Sequence, residues 1–276
     1  MAVAQDLPPS VGTGFVWRPS TTASAVAVLV HGLQSHAGWF LDAGERLACA
    51  GLAVYAPDRR GSGRSTAPRG DIGSFREWFS DLAEVVSLAS SEHPNAAIHL
   101  VGHCFGANIA LGAVLSGTVC NARSIVMLTP GLYVLPTYSV PDRLGIAVSS
   151  VIAPTRRFRV PQDDGLFSRD PSVLAWIGRD ALGARSVTAR ALLQTNRMLT
   201  DVRSSLPSLP VPTLILEAAR DRLSDNAQNR RLLTSALGSR CHYETFDAEH
   251  FLLAEPCADQ VLEAIVRWTQ TCHMAN

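Results

Sequence analysis

Cys104 is the residue whose neighbours most constrain its chemistry. It stands in Val101-Gly102-His103-Cys104-Phe105-Gly106-Ala107, after an apolar run and before the helical run from Asn108 to Val114. A strand-to-helix turn this tight strains its central residue. The positions two before and two after must be small, because a Cβ there would clash across the turn. The thiol is then raised from the sheet edge to a helix N-terminus, where free N–H groups and the helix dipole favour an anion. An ordinary unpaired cysteine is a small core hydrophobe, but the flanking glycines and the two elements argue for a nucleophile. Such a group needs a base, and the base needs an orienter.

Histidines occur at 31, 36, 93, 99, 103, 242, 250 and 273. His250, in Phe246-Asp247-Ala248-Glu249-His250-Phe251, follows the last strand and precedes the last helix, on a loop above the elbow. His99 and His242 fall within strands, His93 and His273 read as surface or tail, and His103 packs beside the elbow. Candidate orienters are Asp221, Asp225 and Asp247, and Asp225 is also placed to cap a helix starting near Asn226.

The elements that must carry these groups alternate along the chain. Short apolar runs at 25–30, 52–56, 97–101, 124–128 and 213–217 read as buried strands, and 242–246 as a strand nearer an edge. Between 74 and 90, Phe75, Trp78, Phe79, Leu82, Val85 and Val86 share one helical face. Val261, Leu262, Ile265, Val266 and Trp268 do the same in a last helix. Strands alternating with helices give an α/β fold with a mostly parallel sheet. The stretch from 131 to 211 is far longer than an ordinary connection. Its helical patterns at 142–153, 171–182 and 184–199 predict a helical cap inserted into a core formed by 1–130 and 212–276, over the strand ends where ligands bind in such folds.

Composition narrows the classes. The chain has 276 residues, 47 % of them apolar and 17 % charged, and its 24 basic and 24 acidic residues cancel. A mass of 29.6 kDa leaves roughly 11,600 Å² exposed on folding. The basic residues are all arginine and are scattered, so no nucleic-acid partner is expected. The first ten residues lack a basic, apolar signal pattern, no run is long enough for a membrane span, and the six cysteines are dispersed. A cytoplasmic protein with free thiols is expected. There is no HExxH motif, and Gly61-Ser62-Gly63 lacks the spacing of a phosphate or dinucleotide loop, so no metal and no cofactor are expected.

The chain resembles the α/β-hydrolase superfamily, and within it the capped monoacylglycerol-lipase or lysophospholipase-like group. Gly102-His103-Cys104-Phe105-Gly106 is similar to the family's nucleophile elbow, with cysteine where most members have serine. His31-Gly32 is similar to its oxyanion-side His-Gly. Asp58-Arg59-Arg60-Gly61-Ser62-Gly63-Arg64-Ser65 resembles its Asp-x-Arg-Gly-x-Gly-x-Ser loop. The resemblance implies a triad of Cys104, Asp221 and His250 in the superfamily's chain order, although Glu217 stands where many members have glycine. It also implies an α/β-hydrolase fold with oxyanion donors at the Phe105 and Leu33 N–H groups. Gln34 and His36 face the same region as candidate substrate contacts. Arg59, Arg60 and Arg64 are expected to hold their loop.

A thiol nucleophile forms a thioester, which water, an alcohol, an amine or another thiol then opens. The expected activity is therefore ester or thioester hydrolysis or acyl transfer on a small or medium apolar acyl substrate, a carrier-protein or coenzyme A thioester included. Leu132, Tyr133, Val134, Leu135, Phe158 and Phe167 are expected to line part of its pocket. A role in secondary metabolism is compatible with the Ala/Arg-rich composition. Two other readings stay open: a lyase that uses His250 as base, and a serine esterase in which Cys104 is an engineered substitution. Oligomeric state is not legible.

Overall fold

A strand buried on both faces must feed two cores, and Ala25–Val30 does so. Val26, Val28 and Val30 pack into one apolar cluster, and Ala25, Ala27 and Leu29 into another. The computed structural model describes residues 2–274. Its strands are β1 (Gln5–Asp6), β2 (Gly14–Trp17), β3 (Ala25–Val30), β4 (Leu52–Pro57), β5 (Ala97–His103), β6 (Ala122–Leu128), β7 (Arg157–Arg159), β8 (Ser186–Thr188), β9 (Thr213–Ala218) and β10 (Cys241–Phe246). The helices are α1 (Leu41–Cys49), α2 (Phe75–Glu92), α3 (Phe105–Leu115), α4 (Val140–Ile152), α5 (Pro171–Arg179), α6 (Ala189–Ser205), α7 (Asn226–Leu237) and α8 (Ala258–Met274).

Eight strands form one sheet in the order β1-β2-β4-β3-β5-β6-β9-β10. From β4 to β10 every pairing is parallel, and β2 runs antiparallel to both β1 and β4. This is the α/β-hydrolase fold. The apolar face of α2 and the whole of α3 cover one side, while α1 and α8 cover the other. Ser74 caps α2 in a reciprocal box with Glu77, which starts the helix one residue after the seryl side chain. Strand β10 lies at the edge, in keeping with its alternating pattern. The short strands β1 and β2 were not expected; at two and four residues they have too little period to read.

The segment from Gly131 to Val211 carries α4, α5 and α6 over the strand ends, together with a two-stranded antiparallel ribbon, β7–β8, whose strands are separated in sequence by α5. Two helical expectations there are corrected at their boundaries. The helix expected over 171–182 ends at Arg179, because the Asp180 carboxylate turns away to accept from His36 and Trp39. The helix expected from 184 starts at Ala189, because 186–188 pair with β7 and Thr188 then caps α6.

Candidate active site

Parallel register brings the relevant loops to one edge of the sheet. Val30 pairs with Gly102, His103 with Leu128, Leu128 with Leu216, and Ala218 with Phe246. The segments that follow, at His31, Cys104, Thr129, Asp221 and His250, therefore emerge side by side.

Cys104 caps α3 with φ 52° and is 5 % exposed. Positive φ at a non-glycine residue is strained, and the surroundings enforce it. A Cβ on Gly102 would overlap Ala107 Cα, and one on Gly106 would overlap the Val30 carbonyl oxygen. The Cys104 N–H donates to the Leu128 carbonyl at 2.9 Å, while its own carbonyl accepts from Ala107 at 3.1 Å and from Gly131 at 3.3 Å.

His250 is fully buried and its Nδ1–H donates to Asp221 Oδ2 at 2.8 Å. The other Asp221 oxygen accepts from the Leu223 and Ser224 N–H groups, both at 2.8 Å. Of the competing carboxylates, Asp225 caps α7 through the Gln228 N–H, and Asp247 is exposed and paired with Arg220. Burial opposes the charged form of His250, but the Asp221 carboxylate and the Cys104 sulfur outweigh it and push the ring up to about 10. Asp221 is held below the usual carboxylate range: burial acts against this, and His250 with the two backbone donors prevails. His250 Nε2 makes no aligned hydrogen bond among the described residues. A loose contact between base and nucleophile is common before substrate binds.

The neighbouring ring, His103, lies 5.2 Å from His250 between centroids. Burial and the adjacent His250 lower it to about 3, so it stays neutral. His99 Nδ1 pairs with Ser124 Oγ and His93 Nε2 with Tyr55 Oη. The side chain of His273 lies outside the described residues.

Gly32 packs against the elbow: a Cβ on it would stand 3.6 Å from the Cys104 Cβ. Leu33 follows it in the loop after β3, and Phe105 is the first residue of α3, where backbone N–H groups have no partner within the helix. Gln34 and His36 both hydrogen-bond to the cap. Gln34 donates to the Gln162 carbonyl at 2.8 Å, and the His36 Nε2–H donates to Asp180 Oδ1 at 3.2 Å. Both polar heads tie the sheet-edge loop to the cap.

The thiol itself sits in an apolar box of Trp39, Phe167, Ile177, Leu223 and Phe251, with Val134 beside it. Phe167 lies 5.6 Å from both the Trp39 and the His250 rings. Leu132 and Tyr133 instead join the main core, with Arg203 over the tyrosine ring, and Leu135 is exposed. Phe158 stands on β7 under Arg156. Glu217, the departure from the family loop, is buried and paired with Arg230 on α7, leaving the Asp221 turn undisturbed.

Several contributors escaped sequence reasoning. Thr129, with φ 43°, donates its hydroxyl to the His250 carbonyl at 3.1 Å. Glu249 is buried among Arg169, Arg220 and Arg222. Ser168 of the cap donates to Glu255 Oε1 at 2.6 Å, and the Phe251 N–H donates to the Phe167 carbonyl at 2.8 Å. The one legible signal was the adjacency of Glu249 and Phe251 to His250. Among the described residues no group of three or more His, Cys, Asp or Glu side chains could hold a metal ion.

The family described as Hydrolase_4, serine aminopeptidase S33, matches residues 21–257. Over 269 residues the chain is 29 % identical to a monoacylglycerol lipase of Mycolicibacterium smegmatis, covering 92 % of this chain and 90 % of that one. It is 25 % identical to the monoglyceride lipase of Homo sapiens over 212 residues, 76 % of this chain and 69 % of the relative. Among solved structures, the fold matches a monoglyceride lipase from Saccharomyces cerevisiae with a TM-score of 0.85 at 15 % identity, over 99 % of this chain and 95 % of that one. A Paleococcus ferrophilus monoacylglycerol lipase matches with a TM-score of 0.79 at 21 % identity, over 99 % of both chains.

Proposed function

This chain belongs to the Hydrolase_4, serine aminopeptidase S33, family, and from that premise we propose that it is an ester or thioester hydrolase, or acyltransferase, working through a covalent thioester on Cys104. The observation that carries the reading is the buried Asp221–His250 hydrogen bond beside a strained cysteine at a helix N-terminus. Relatives named monoacylglycerol lipase support an ester substrate with an apolar acyl chain, and so does the box of Trp39, Phe167, Ile177, Leu223 and Phe251 around the sulfur.

The Cys104 thiol passes its proton to His250 Nε2 as the sulfur attacks the acyl carbonyl carbon. A C–S bond forms, the π pair moves to oxygen, and the Leu33 and Phe105 N–H groups stabilise that oxyanion. As the oxyanion collapses, the acyl–oxygen or acyl–sulfur bond breaks and the His250 Nε2–H protonates the departing group. Water or another acceptor then enters. His250 takes its proton, a second oxyanion forms and collapses with cleavage of the C–S bond, and His250 returns the proton to the sulfur as the acid or acyl product leaves. Asp221 holds His250 in the tautomer and orientation both steps require. A soluble acyl donor such as a coenzyme A thioester would use the same steps.

Intact-protein mass spectrometry after brief exposure to short and medium acyl esters and thioesters tests this. The expected result is one added acyl group, absent from Cys104→Ala and strongly slowed in His250→Ala. Turnover by Cys104→Ala with no adduct on the wild type would overturn it and favour elimination with His250 as base.

A further inference from the structure

The Asp58–Ser65 loop stood out in the sequence, and the reaction above gives it no task. Its motif arginine, Arg60, turns outward and donates to Asp81 at 3.0 and 2.7 Å. The preceding residue, at the motif's unspecified position, turns inward: Arg59 is 8 % exposed and its guanidinium lies 5.2 Å from the Trp78 and Phe105 ring centres. Its Nη2 donates to the Gly32 carbonyl at 3.2 Å and the Leu33 carbonyl at 3.1 Å. Its backbone N–H donates to His31 Nε2 at 2.9 Å, which leaves the His31 proton on Nδ1, donating to the same Gly32 carbonyl at 2.8 Å. Asp58 anchors the loop by accepting from the Ala37 and Arg64 N–H groups at 2.9 and 3.0 Å.

The Gly32 carbonyl and the Leu33 N–H belong to one peptide unit. No peptide bond is cis among the described residues, so the two groups point in opposite directions. Fixing that carbonyl from behind fixes where the N–H aims. A cation on the carbonyl side also polarises the unit, which strengthens its N–H as a donor. Burying a guanidinium without a carboxylate bonded to it costs stability, so this arrangement is not explained by packing alone.

We infer that Arg59 is the positioning residue of the oxyanion hole, holding the Gly32–Leu33 peptide by its side chain and, through His31, by its backbone, so that the Leu33 N–H faces the carbonyl attacked by Cys104. The inference rests on the acyl-transfer reading. Through its contact with the Phe105 ring, Arg59 also touches the residue that supplies the second donor.

Two reactions at the same sulfur separate this role from a merely structural one. Iodoacetamide alkylates Cys104 by forming a C–S bond as iodide leaves and the thiol proton passes to solvent, and no oxyanion develops. p-Nitrophenyl hexanoate acylates it through an oxyanion, with p-nitrophenolate leaving. In Arg59→Met the acylation rate is expected to fall about 100-fold while alkylation keeps its wild-type rate. Arg59→Lys should fall less, since its ammonium keeps the charge and a donor but loses the planar group that lies against the Trp78 and Phe105 rings. Unchanged acylation, or equal loss of both reactions, would overturn the inference. If Arg59→Met does not fold, the ratio in Arg59→Lys decides alone. A wild-type protein that alkylates but never acylates would instead overturn the acyl-transfer reading and this inference with it.

Discussion

The Asp221 carboxylate accepts from the His250 Nδ1–H at 2.8 Å and, with the Cys104 sulfur, raises that ring's pKa. Removing the carboxylate should leave His250 free to take the wrong tautomer, so Asp221→Asn is expected to lower the acylation rate by roughly 10³–10⁴-fold. Stopped-flow release of p-nitrophenolate measures it, and a loss under tenfold would mean that another group orients the ring. The same pair makes stability depend on pH. The folded His250 pKa is raised from 6.5 to about 10, so its contribution is complete below about pH 6.5 and is lost as pH rises through 10. Urea midpoints of the wild type should therefore fall across that window, with a shallower fall in Asp221→Asn. Equal slopes would remove the ion pair from the account.

Elements matter here through how closely their backbones approach. The elbow exists because α3 starts immediately after β5 and presses against the end of β3, which leaves no room for a Cβ at Gly106. Gly106→Ala should destabilise the protein by about 1–3 kcal/mol or more. Gly165→Ala, where an added Cβ meets nothing within 4 Å, should leave the melting temperature unchanged. Equal melting temperatures for the two variants would show that the elbow yields more easily than its geometry implies. The elbow was readable beforehand because crossing backbones demand glycine at fixed spacing. The β7–β8 pair was not, since its three-residue strands carry no period and are defined only by each other.

Across the whole molecule, the exposed surface of 11,808 Å² agrees with the roughly 11,600 Å² expected for the mass. The cap and the sheet-edge loops are joined by polar latches: His36 with Asp180, Arg222 with the Gly165 carbonyl, and Ser168 with Glu255. Ser168→Ala leaves a Glu255 oxygen without that donor in a buried place, a loss of about 1–3 kcal/mol. The cost should fall on the cap contact. Hydrogen exchange is expected to speed up at Phe251, whose N–H donates to the cap, and around residues 165–170, with the β3 and β5 amides unchanged. Uniform acceleration across the sheet would mean that cap and core open together. No helix among the described residues is long and apolar enough to cross a membrane.

The alternation of buried runs with helical faces determined an α/β core with a mostly parallel sheet, and the resemblance of its motifs made that core an α/β-hydrolase fold. Glycine spacing around Cys104 determined the elbow, because both signals are local and repeat over enough residues to be read. The resemblance favoured Asp221 over Asp225 and Asp247, but the contact itself belongs to the tertiary structure, since all three carboxylates stand near the right strand ends and Asp221 is the one that meets His250. The same holds for the apolar wall. Trp39, Ile177, Leu223 and Phe251 come from four separate segments, one of them the cap, and meet around the sulfur only in the folded chain. Tyr133 and Phe158, equally apolar in sequence, are drawn to other neighbours. Arg59 follows the same logic, because which of two adjacent arginines turns inward depends on the carbonyls and rings that wait there.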